Sequence, residues 1–392
     1  METVKGFRDL SGEEAEIKEK IKEILVRNFK LYGFEPVETP IIENEKFVRG
    51  ENTGDEAVSD IFKLQDKGKR KLALRYEFTF QLKRLVKGKK LPYKRYQVGE
   101  VFRDEPTKPG RFRQFTQCDA DIVGSSEITA DAEILALTSS IFKELKIPVE
   151  IQVNNRQLLT SIIESLKVVR DKKTELKVMR EVDKLEKSRD EAYRNLKKLI
   201  GAEETDMLLE YFDKPLSFFI KQGFAGASDI EQLKKLLKVY KVRSRFVPSL
   251  ARGLSYYTGN VFEIKSKGAE FTITAGGRYE VNNLPAVGIS FGLDRIIKLA
   301  KIDADKEKVL VISIGEDEKA AKLAEKLRGG GVGCKIMYKK IIKSLEYANS
   351  KKIPYVIFVG KEEAKKKKVK LRNMKTGKES LVSEKELIKK LQ

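Results

Sequence analysis

Apolar residues near the start of the chain recur at helical spacing and are followed by a segment typical of a strand. The helical pattern covers residues 12–32 and places these residues on one face: Ile17, Ile21, Ile24, Leu25 and Phe29. The segment GFEPVETPII comes next and has the composition of a strand interrupted by prolines. From about residue 94 to 125, YQVGEVF and FTQCDADIV flank the polar loop RDEPTKPGRFRQ, which predicts a long antiparallel hairpin.

The remaining chain alternates between helical and strand patterns in three blocks. Residues 161–245 are rich in Lys, Glu and Leu at helical period, which predicts a helical insertion. Strand patterns return in GLSYYTGNVFEI, FTITAGGRYE and PAVGISFGLDRII, the last of which passes into a helix. After the polar linker KIDADKEK, strands and helices alternate, which predicts a separate α/β domain over residues 303–392 that ends in a strongly basic tail.

Composition restricts the function classes. The chain has 80 Lys and Arg against 59 Asp and Glu, a net charge of +21, which favours a polyanionic partner such as nucleic acid. A Lys-rich proteome or a heat-adapted surface is the alternative cause of this charge. Without histidine, imidazole bases, Ser-His-Asp triads and His-ligated zinc are excluded, whereas phosphoryl or adenylyl transfer through arginine and metal remains.

The expected cellular compartment follows from the cysteine count and from the lack of long apolar segments. Cys118 and Cys334 are too few for a disulfide framework or a four-cysteine metal site. The start of the chain, METVKGFRDL, lacks the apolar region of a signal peptide, and no segment is apolar enough to span a bilayer. We therefore expect a cytoplasmic protein without membrane contact.

The hairpin carries residue types that suit a nucleotide. Alternate residues of a strand share a face, so that Arg113, Phe115 and Gln117 point the same way, as do Asp119 and Asp121. A guanidinium pairs with phosphate in a bidentate manner and an aromatic ring stacks on a purine. A surface hairpin with scattered ion pairs is the alternative.

Three further segments carry candidate residues with open alternatives. Arg295, in GLDRII, requires an anionic partner, either a ligand or a buried structural carboxylate. The glycines of AGGRYE indicate a close backbone approach or an ordinary hairpin turn. In RGLSYYTG, Arg252 precedes Tyr256 and Tyr257, which point to opposite faces if the segment is extended, so that one lines a pocket and the other packs in the core.

Taken in order, these segments resemble the class II aminoacyl-tRNA synthetases, and within them the histidyl-tRNA synthetases, over nearly the whole chain. LYGFEPVETPIIE, GEVFRDEPTKPGRFRQFTQCDADIVG and PAVGISFGLDRII are similar to the three class motifs. RGLSYYTGNVFE and AGGRYE are similar to segments that set the histidine-specific branch apart, and IQVNNRQLL and REVDKLEK also resemble that branch. This second group makes the resemblance specific.

The resemblance implies a role for each matching residue on the ATP side. Arg103 would hold the α-phosphate of ATP, and Arg111 and Arg295 the terminal phosphate. Phe115 would stack on adenine with Glu105 near the base, while Arg113 is implied to contact either the phosphates or the tRNA end. Mg²⁺ is implied to bind mainly through the ATP phosphates, which leaves any protein ligand of the metal open.

The resemblance also implies a histidine site. Glu77 and Thr79 in LRYEFT, with Phe78 between them and Gln117 beside them, would receive the amino group. Asp121 and Tyr257 would contact the imidazole and Tyr256 would line the pocket. Arg252 matches the catalytic arginine, which with Arg103 contacts the substrate carboxylate and the α-phosphate. The family usually has proline and leucine around the acidic residue, where this chain has Tyr76 and Phe78, and some relatives carry histidine where it has Thr116.

The resemblance implies an α+β architecture and a ligase. We expect a class II antiparallel sheet with flanking helices over residues 1–160 and 246–302, the helical insertion, and a C-terminal anticodon-binding α/β domain. ATP, Mg²⁺, L-histidine and tRNA(His) are the implied ligands, and a homodimer forms through the first motif. The alternatives are a non-catalytic, histidine-sensing regulatory paralogue of histidine biosynthesis and a nucleic-acid-binding module that uses the fold as a sensor.

Overall fold

The chain forms two compact units, Met1–Asp303 and Ala304–Gln392. The computed structural model describes residues 2–50, 60–107, 111–166, 168–169, 171–251, 256–266, 272–304, 308–362 and 368–391. In these ranges, every helix is too short or too polar to cross a membrane.

The first unit is built on an eight-stranded sheet in the order β1-β5-β6-β11-β10-β9-β7-β8. Its strands are β1 Glu35–Pro36, β5 Tyr93–Phe102, β6 Gln114–Val123, β7 Val149–Asn155, β8 Ser244–Phe246, β9 Asn260–Ser266, β10 Thr272–Val281 and β11 Leu284–Gly292. The central strands are antiparallel, whereas β1 pairs with β5 and β8 with β7 in parallel. The sheet is therefore mixed, with a long antiparallel centre as the class II resemblance implies. A three-stranded sheet stands apart: β2 Ile42–Asn44, β4 Lys71–Leu74 and β3 Lys63–Gln65.

The two glycines of AGGRYE lie inside β10 rather than at a turn. The turn that joins β10 to β11 is formed by Asn282 and Asn283, with φ of 51° and 62°. Asparagine tolerates this left-handed conformation better than most residues. The close-approach alternative for Gly276 and Gly277 is therefore the correct one.

Helices pack against one face of the sheet and bury its apolar residues. The long helices on this face are α1 Glu13–Leu31 and α4 Ile128–Glu144, with short helices α2 Glu45–Arg49 and α3 Leu82–Leu85 elsewhere in the unit. In α1 four of the five predicted stripe residues are buried, and Ile17 is partly buried against the same core. Three acidic residues in the first turn favour the helix N-terminus. Cys118, Ala120 and Ile122 of β6 face the same core. The alternate residues of β6 therefore face the opposite side of the sheet.

Helices dominate the segment between β7 and β8. They are α5 Arg156–Ser165, α6 Lys172–Lys184, α7 Arg189–Ile200, α8 Ala202–Phe212, α9 Leu216–Lys221 and α10 Ala227–Val239. Asn155 and Asp171 cap α5 and α6 through side-chain oxygens that accept backbone N–H groups. The final short helix of the unit is α11, Leu293–Ile296, which follows β11 directly.

The second unit is an α/β domain with a five-stranded sheet in the order β13-β12-β14-β15-β16. Its elements are β12 Val309–Ile314, α12 Asp317–Gly329, β13 Cys334–Met337, α13 Ile341–Ser350, β14 Tyr355–Gly360, β15 Lys368–Asn373, β16 Glu379–Ser383 and α14 Glu384–Leu391. The first three strands are parallel, and β15 and β16 add antiparallel strands.

Most of the described part of the strongly basic tail, residues 368–383, forms the strands β15 and β16. Val369, Leu371 and Val382 are buried in the core of the second unit, while Lys368 and Lys370 alternate with them. A period-two pattern of apolar residues forms a strand even when every intervening residue is charged. The described part of this segment is therefore structural, whatever its charged face contacts.

Candidate functional site

The polar face of the central sheet gathers the candidate histidine residues. Gln117, Asp119 and Asp121 of β6 are all buried, and they lie on the face opposite Cys118, Ala120 and Ile122. The shared face of Gln117, Asp119 and Asp121 is thus as the alternation predicts. Buried carboxylates require specific partners, because isolated charges are costly away from water.

Asp121 is held on both carboxylate oxygens. Its Oδ1 accepts a hydrogen bond from the hydroxyl of Tyr279 on β10, and its Oδ2 lies 2.7 Å from Nη2 of Arg95. Arg95 sits directly opposite Asp121 in the β5–β6 pairing. Burial raises the pKa of Asp121, and the Arg95 guanidinium and the Tyr279 hydroxyl oppose that rise. Neither Arg95 nor Tyr279 was among the candidates from sequence, although the register of the hairpin places Arg95 beside Asp121.

Two glycines give this carboxylate and a tyrosine ring their room. A Cβ at position 288 on β11 would lie 2.1 Å from Oδ1 of Asp121, and one at position 277 would lie 2.9 Å from the ring of Tyr257. Gly277 and Gly288 face each other across β10 and β11. The missing Cβ atoms of these two glycines therefore leave room for the Asp121 carboxylate and the Tyr257 ring.

Asp119 is a second buried carboxylate, to which the sequence assigns no role. Both of its oxygens accept from Nε2 of Gln117 at 3.0 Å, and Gln97 lies opposite it on β5. Burial raises the pKa of Asp119 to about 6, and the nearby Asp121 adds to this, while Arg95 opposes it. Gln117 is therefore fixed by Asp119.

Glu77 faces the same group of carboxylates from the segment before α3. It is buried, and burial raises its pKa to about 7, with Asp119 and Asp121 adding to the rise and Arg103 opposing it. Thr79 is half-buried, and its carbonyl accepts the N–H of Leu82 at 3.0 Å. Glu77 is thus a proton-binding group close to neutral pH.

The unusual aromatic residues around Glu77 are packed. Phe78 is fully buried, its carbonyl accepts a hydrogen bond from Arg95 at 3.1 Å, and the guanidinium of Arg75 lies 4.9 Å from its ring centre. Tyr76 stacks on Phe80 with ring centres 5.7 Å apart. Tyr76 and Phe78 therefore hold the segment through packing, where the family usually has proline and leucine.

Glu77→Gln is expected to change the pH dependence of stability. The folded protein binds the Glu77 proton more tightly than the unfolded chain, whose ordinary pKa is 4.5. The wild type therefore loses stability as pH rises from about 4.5 to about 7, by at most about 3 kcal/mol from this group. The glutamine variant lacks this loss and should unfold at a higher temperature than the wild type at pH 8.

Thermal unfolding at pH 4, below the ordinary pKa of 4.5, provides the control for this prediction. Glutamine resembles the protonated acid in shape and charge, so that the two proteins should unfold at similar temperatures there. A variant that is equally or less stable than the wild type at pH 8 would contradict the proton-binding role of Glu77.

The candidate ATP residues form two groups. Arg103 is adjacent to Phe115, with its guanidinium carbon 5.2 Å from the ring centre, and its Nε donates to the carbonyl of Tyr76 at 3.3 Å. The hydrogen bond from Arg103 to Tyr76 places the nucleotide candidates close to Glu77, which follows Tyr76 in the chain. Arg103 and Phe115 thus lie at the boundary between the two expected subsites.

The second ATP group lies on the connection between β5 and β6. Arg111 forms an ion pair with Glu105. Arg113 donates through Nε to the carbonyl of Glu105 at 3.1 Å, and its Nη2 lies 3.2 Å from Oδ1 of Asp104. The ion pairs of the surface-hairpin alternative are therefore present, and they hold the arginines in one cluster.

Arg295 lies in α11, where Nη1 donates to the carbonyl of Thr272 at 2.6 Å. The preceding residue, Asp294, accepts the backbone N–H of Thr116 at 3.0 Å and pairs with Arg8 at 2.8 Å. The start of α11 is thereby tied to β6 beside Phe115.

Tyr256 and Tyr257 do not point to opposite faces, because Tyr256 lies in a turn and the segment is not extended there. Their rings contact each other at 4.9 Å, and Tyr256 meets Tyr279 edge to face at 5.6 Å. The expectation from an extended chain is therefore wrong.

The remaining site candidate, Arg252, lies outside the described residues. Within the described ranges, no group of three or more acidic or cysteine side chains has the arrangement of a metal site.

Comparisons with known proteins agree over the whole chain. A family model for histidyl-tRNA synthetase matches residues 6–296, and a model for an anticodon binding domain matches residues 308–392. A histidine–tRNA ligase of Bacillus cereus is 36% identical to this chain, and the alignment covers 97% of this chain and 94% of the relative. The histidine–tRNA ligase of Methanocaldococcus jannaschii is 31% identical, over 98% of this chain and 97% of its own.

Solved structures have the same fold. The histidyl-tRNA synthetase from Nostoc is 25% identical, with a TM-score of 0.87 over 100% of this chain and 98% of that chain. An ATP phosphoribosyltransferase regulatory subunit/histidyl-tRNA synthetase from Bacillus halodurans has a TM-score of 0.78 at 20% identity, over 91% of this chain and 97% of that chain. The second likeness concerns the fold alone.

Proposed function

Because the chain belongs to the histidyl-tRNA synthetase family, we propose that it activates L-histidine with ATP and transfers the histidine to the 3′ end of tRNA(His). Activation yields histidyl-adenylate and pyrophosphate. The observation that carries this proposal is one sheet face on which Asp121 and Glu77 lie beside Arg103 and Phe115. Two carboxylates suit a substrate with an amino group and an imidazole, and the arginine and the ring suit a nucleotide.

Activation needs cations rather than a general base. The histidine carboxylate is already ionised at neutral pH, so that its attack on the α-phosphorus requires the repulsion between two anions to be cancelled. Arg103 and Arg252 are the proposed catalytic residues, each contacting the α-phosphate, with Arg252 also on the substrate carboxylate. A fixed guanidinium stabilises the charge of the transition state without reorganisation.

The remaining ATP residues hold the rest of the nucleotide. Phe115 stacks on adenine, Glu105 lies near the base, and Arg111 and Arg295 bind the terminal phosphate, with Arg113 assisting. For Arg111 and Arg113 this means exchanging the Glu105 and Asp104 contacts described above for phosphate contacts. Mg²⁺, held mainly by the phosphates, supplies further neutralisation of charge when it is bound.

Different residues of the histidine site bind the two ends of the substrate, the amino group and the imidazole. Glu77, Thr79 and Gln117 receive the amino group, with the backbone at Phe78 held by Arg95. Asp121 and Tyr257 bind the imidazole, and Tyr256 lines the pocket beside Tyr279. The support is that Glu77, Gln117 and Asp121 are all buried on one side of the sheet.

The test of the proposed reaction is ATP–pyrophosphate exchange with each amino acid in turn. Exchange that depends on histidine alone supports the synthetase. Exchange with a different amino acid would overturn the specificity, and exchange with none would overturn the enzyme. The same assay separates the regulatory paralogue, which the family matches do not favour.

The domain roles follow the same family. We propose that residues 1–160 and 246–302 form the catalytic domain, 161–245 an insertion, and 303–392 the anticodon-binding domain, which the match over residues 308–392 supports.

The proposal also covers the compartment and the oligomeric state. The protein acts in the cytoplasm, consistent with the free thiols of Cys118 and Cys334, and it forms a homodimer.

The first motif supports the homodimer. Ile41 and Ile42 keep 45% and 51% of their surface exposed, and Leu31 at the end of α1 keeps 74%. Ile41 and Ile42 are neighbours in sequence, and adjoining exposed apolar residues favour an interaction site. Sedimentation of the full chain at several concentrations measures the dimer, and a monomer at every concentration would contradict it.

Deleting residues 308–392 is expected to separate the two half-reactions. Activation should persist, because every residue assigned to ATP and histidine lies in the first unit, whereas charging should weaken by about tenfold or more through the loss of backbone-positioning RNA contacts. The measurements are pyrophosphate exchange and charging of tRNA(His) by the same preparation. Unchanged charging would contradict the role of the second unit.

A further inference from the structure

Arg95 is a fully buried cation on β5, the second strand of the eight-stranded sheet, and none of the proposed roles of the site residues explains its burial. Its side chain is 0% exposed, and it extends from β5 toward the face that carries the carboxylates. Lys and Arg are rarely buried without a specific partner.

One guanidinium nitrogen of Arg95 joins two separate parts of the histidine site. Nη2 lies 2.7 Å from Oδ2 of Asp121 on β6 and 3.1 Å from the carbonyl of Phe78. Phe78 stands between Glu77 and Thr79, the residues assigned to the amino group. Arg95 therefore fixes the imidazole end and the amino end of the site relative to each other.

The rest of the guanidinium is costly to bury. Among the described residues, Nε and Nη1 of Arg95 have no hydrogen-bond partner. Buried ion pairs are often replaced by apolar residues without loss of stability, so that stability alone is weak grounds for a buried arginine. The contacts of Nη2 with the histidine site explain the burial of Arg95 better than stability does.

We propose that Arg95 is a positioning residue for histidine, which fixes the Asp121 carboxylate and the main chain at Phe78 so that both ends of the substrate are bound together. This inference rests on the proposed function, because Asp121 and Glu77 are assigned there to histidine. Arg95 itself does not contact the substrate and acts through these two groups.

The charges around Asp121 come from four elements. Arg95 faces it from β5, Tyr279 from β10, Asp119 from its own strand, and Glu77 from the segment before α3, where Arg103 faces Glu77 in turn. Arg95 opposes the rise in pKa of both Asp119 and Asp121. Removing Arg95 therefore leaves these carboxylates protonated up to a higher pH.

The experiment is Arg95→Met in the full chain, with KM for histidine and for ATP measured by pyrophosphate exchange from pH 6 to 9. We expect KM for histidine to rise about tenfold at pH 7, which corresponds to about 1.4 kcal/mol. KM for ATP should stay within about twofold of the wild type, since only histidine meets Asp121. The histidine KM of the variant should improve as pH rises, because Asp121 then ionises without its cation.

Arg278→Met is the matched control. Arg278 also pairs with a fully buried carboxylate, that of Asp131 at 2.5 Å, on the core face of the same sheet, and its own side chain is 12% exposed. This variant should unfold at a lower temperature while both KM values stay unchanged. Arg95→Lys keeps the charge and should restore part of the histidine affinity; if Arg95→Met does not fold, the lysine variant alone must show a raised KM for histidine at an unchanged KM for ATP.

The outcomes distinguish this inference from the proposed function. Wild-type protein without histidine-dependent exchange would overturn the function. Wild-type exchange together with an unchanged histidine KM in Arg95→Met, or with equal increases in both KM values and no change in pH profile, would overturn the positioning role.

Discussion

Replacing Arg103 with alanine is expected to reduce histidine-dependent pyrophosphate exchange by about two to three orders of magnitude, the usual effect of losing one preorganised group at a developing charge. Arg103 stands 5.2 Å from the ring of Phe115 and donates to the carbonyl of Tyr76, so that its guanidinium is already placed before substrates bind. It also opposes the raised pKa of Glu77. Its loss removes a cation from both subsites, and kcat is expected to fall more than either KM rises.

The control for Arg103 is an arginine of the same unit without a role in the site. Arg70 keeps 78% of its side chain exposed and pairs with Asp66 on the surface. Arg70→Ala should retain full exchange, because exposed ion pairs contribute little. Arg103→Lys should fall between the two, since lysine keeps the charge but loses the planar fork. Equal exchange by Arg103→Ala and Arg70→Ala would contradict the catalytic role.

The hairpin shows how much of the site the sequence predicts. Its alternation of polar and apolar residues gives the two strands and the shared face of Gln117 and Asp121, because a strand has only two faces. The same alternation would also give Arg95 opposite Asp121, provided that the register is known. Register depends on the turn and on the packed core, and neither can be determined from strand propensity alone.

Local patterns fail where tertiary packing decides. Tyr256 and Tyr257 do not follow the extended geometry, since a turn brings their rings together beside Tyr279, which is 22 residues away from Tyr257 in sequence. Charge misleads in the same way in the second unit, where a Lys-rich segment is a strand because Val369 and Leu371 are buried. The residue roles are implied by the family resemblance and stay proposals, whereas the contacts show which side chains hold those residues in place.

Gly288→Ala is expected to raise KM for histidine by about a hundredfold, or about 2.7 kcal/mol, at an unchanged KM for ATP. The added methyl would lie 2.1 Å from Oδ1 and 2.9 Å from Cγ of Asp121. The carboxylate cannot move aside without losing Arg95 or the Tyr279 hydroxyl, since each of its oxygens is engaged. Overpacking of a closed site typically costs about 1–3 kcal/mol, and here the displaced group is the one that we propose binds the imidazole.

The control for Gly288→Ala lies on the same strand. A methyl at Gly292 would meet nothing closer than the carbonyl of Ile273 at 3.9 Å, so that Gly292→Ala should leave KM for histidine within about twofold of the wild type. Both variants are measured by pyrophosphate exchange against histidine and ATP in turn. Neither glycine has a positive φ, so that the backbone tolerates alanine at both positions and the difference between them reports on space alone. If both alanine variants bind histidine equally well, Asp121 does not contact the substrate in the way proposed, and the imidazole must be bound elsewhere on this face of the sheet.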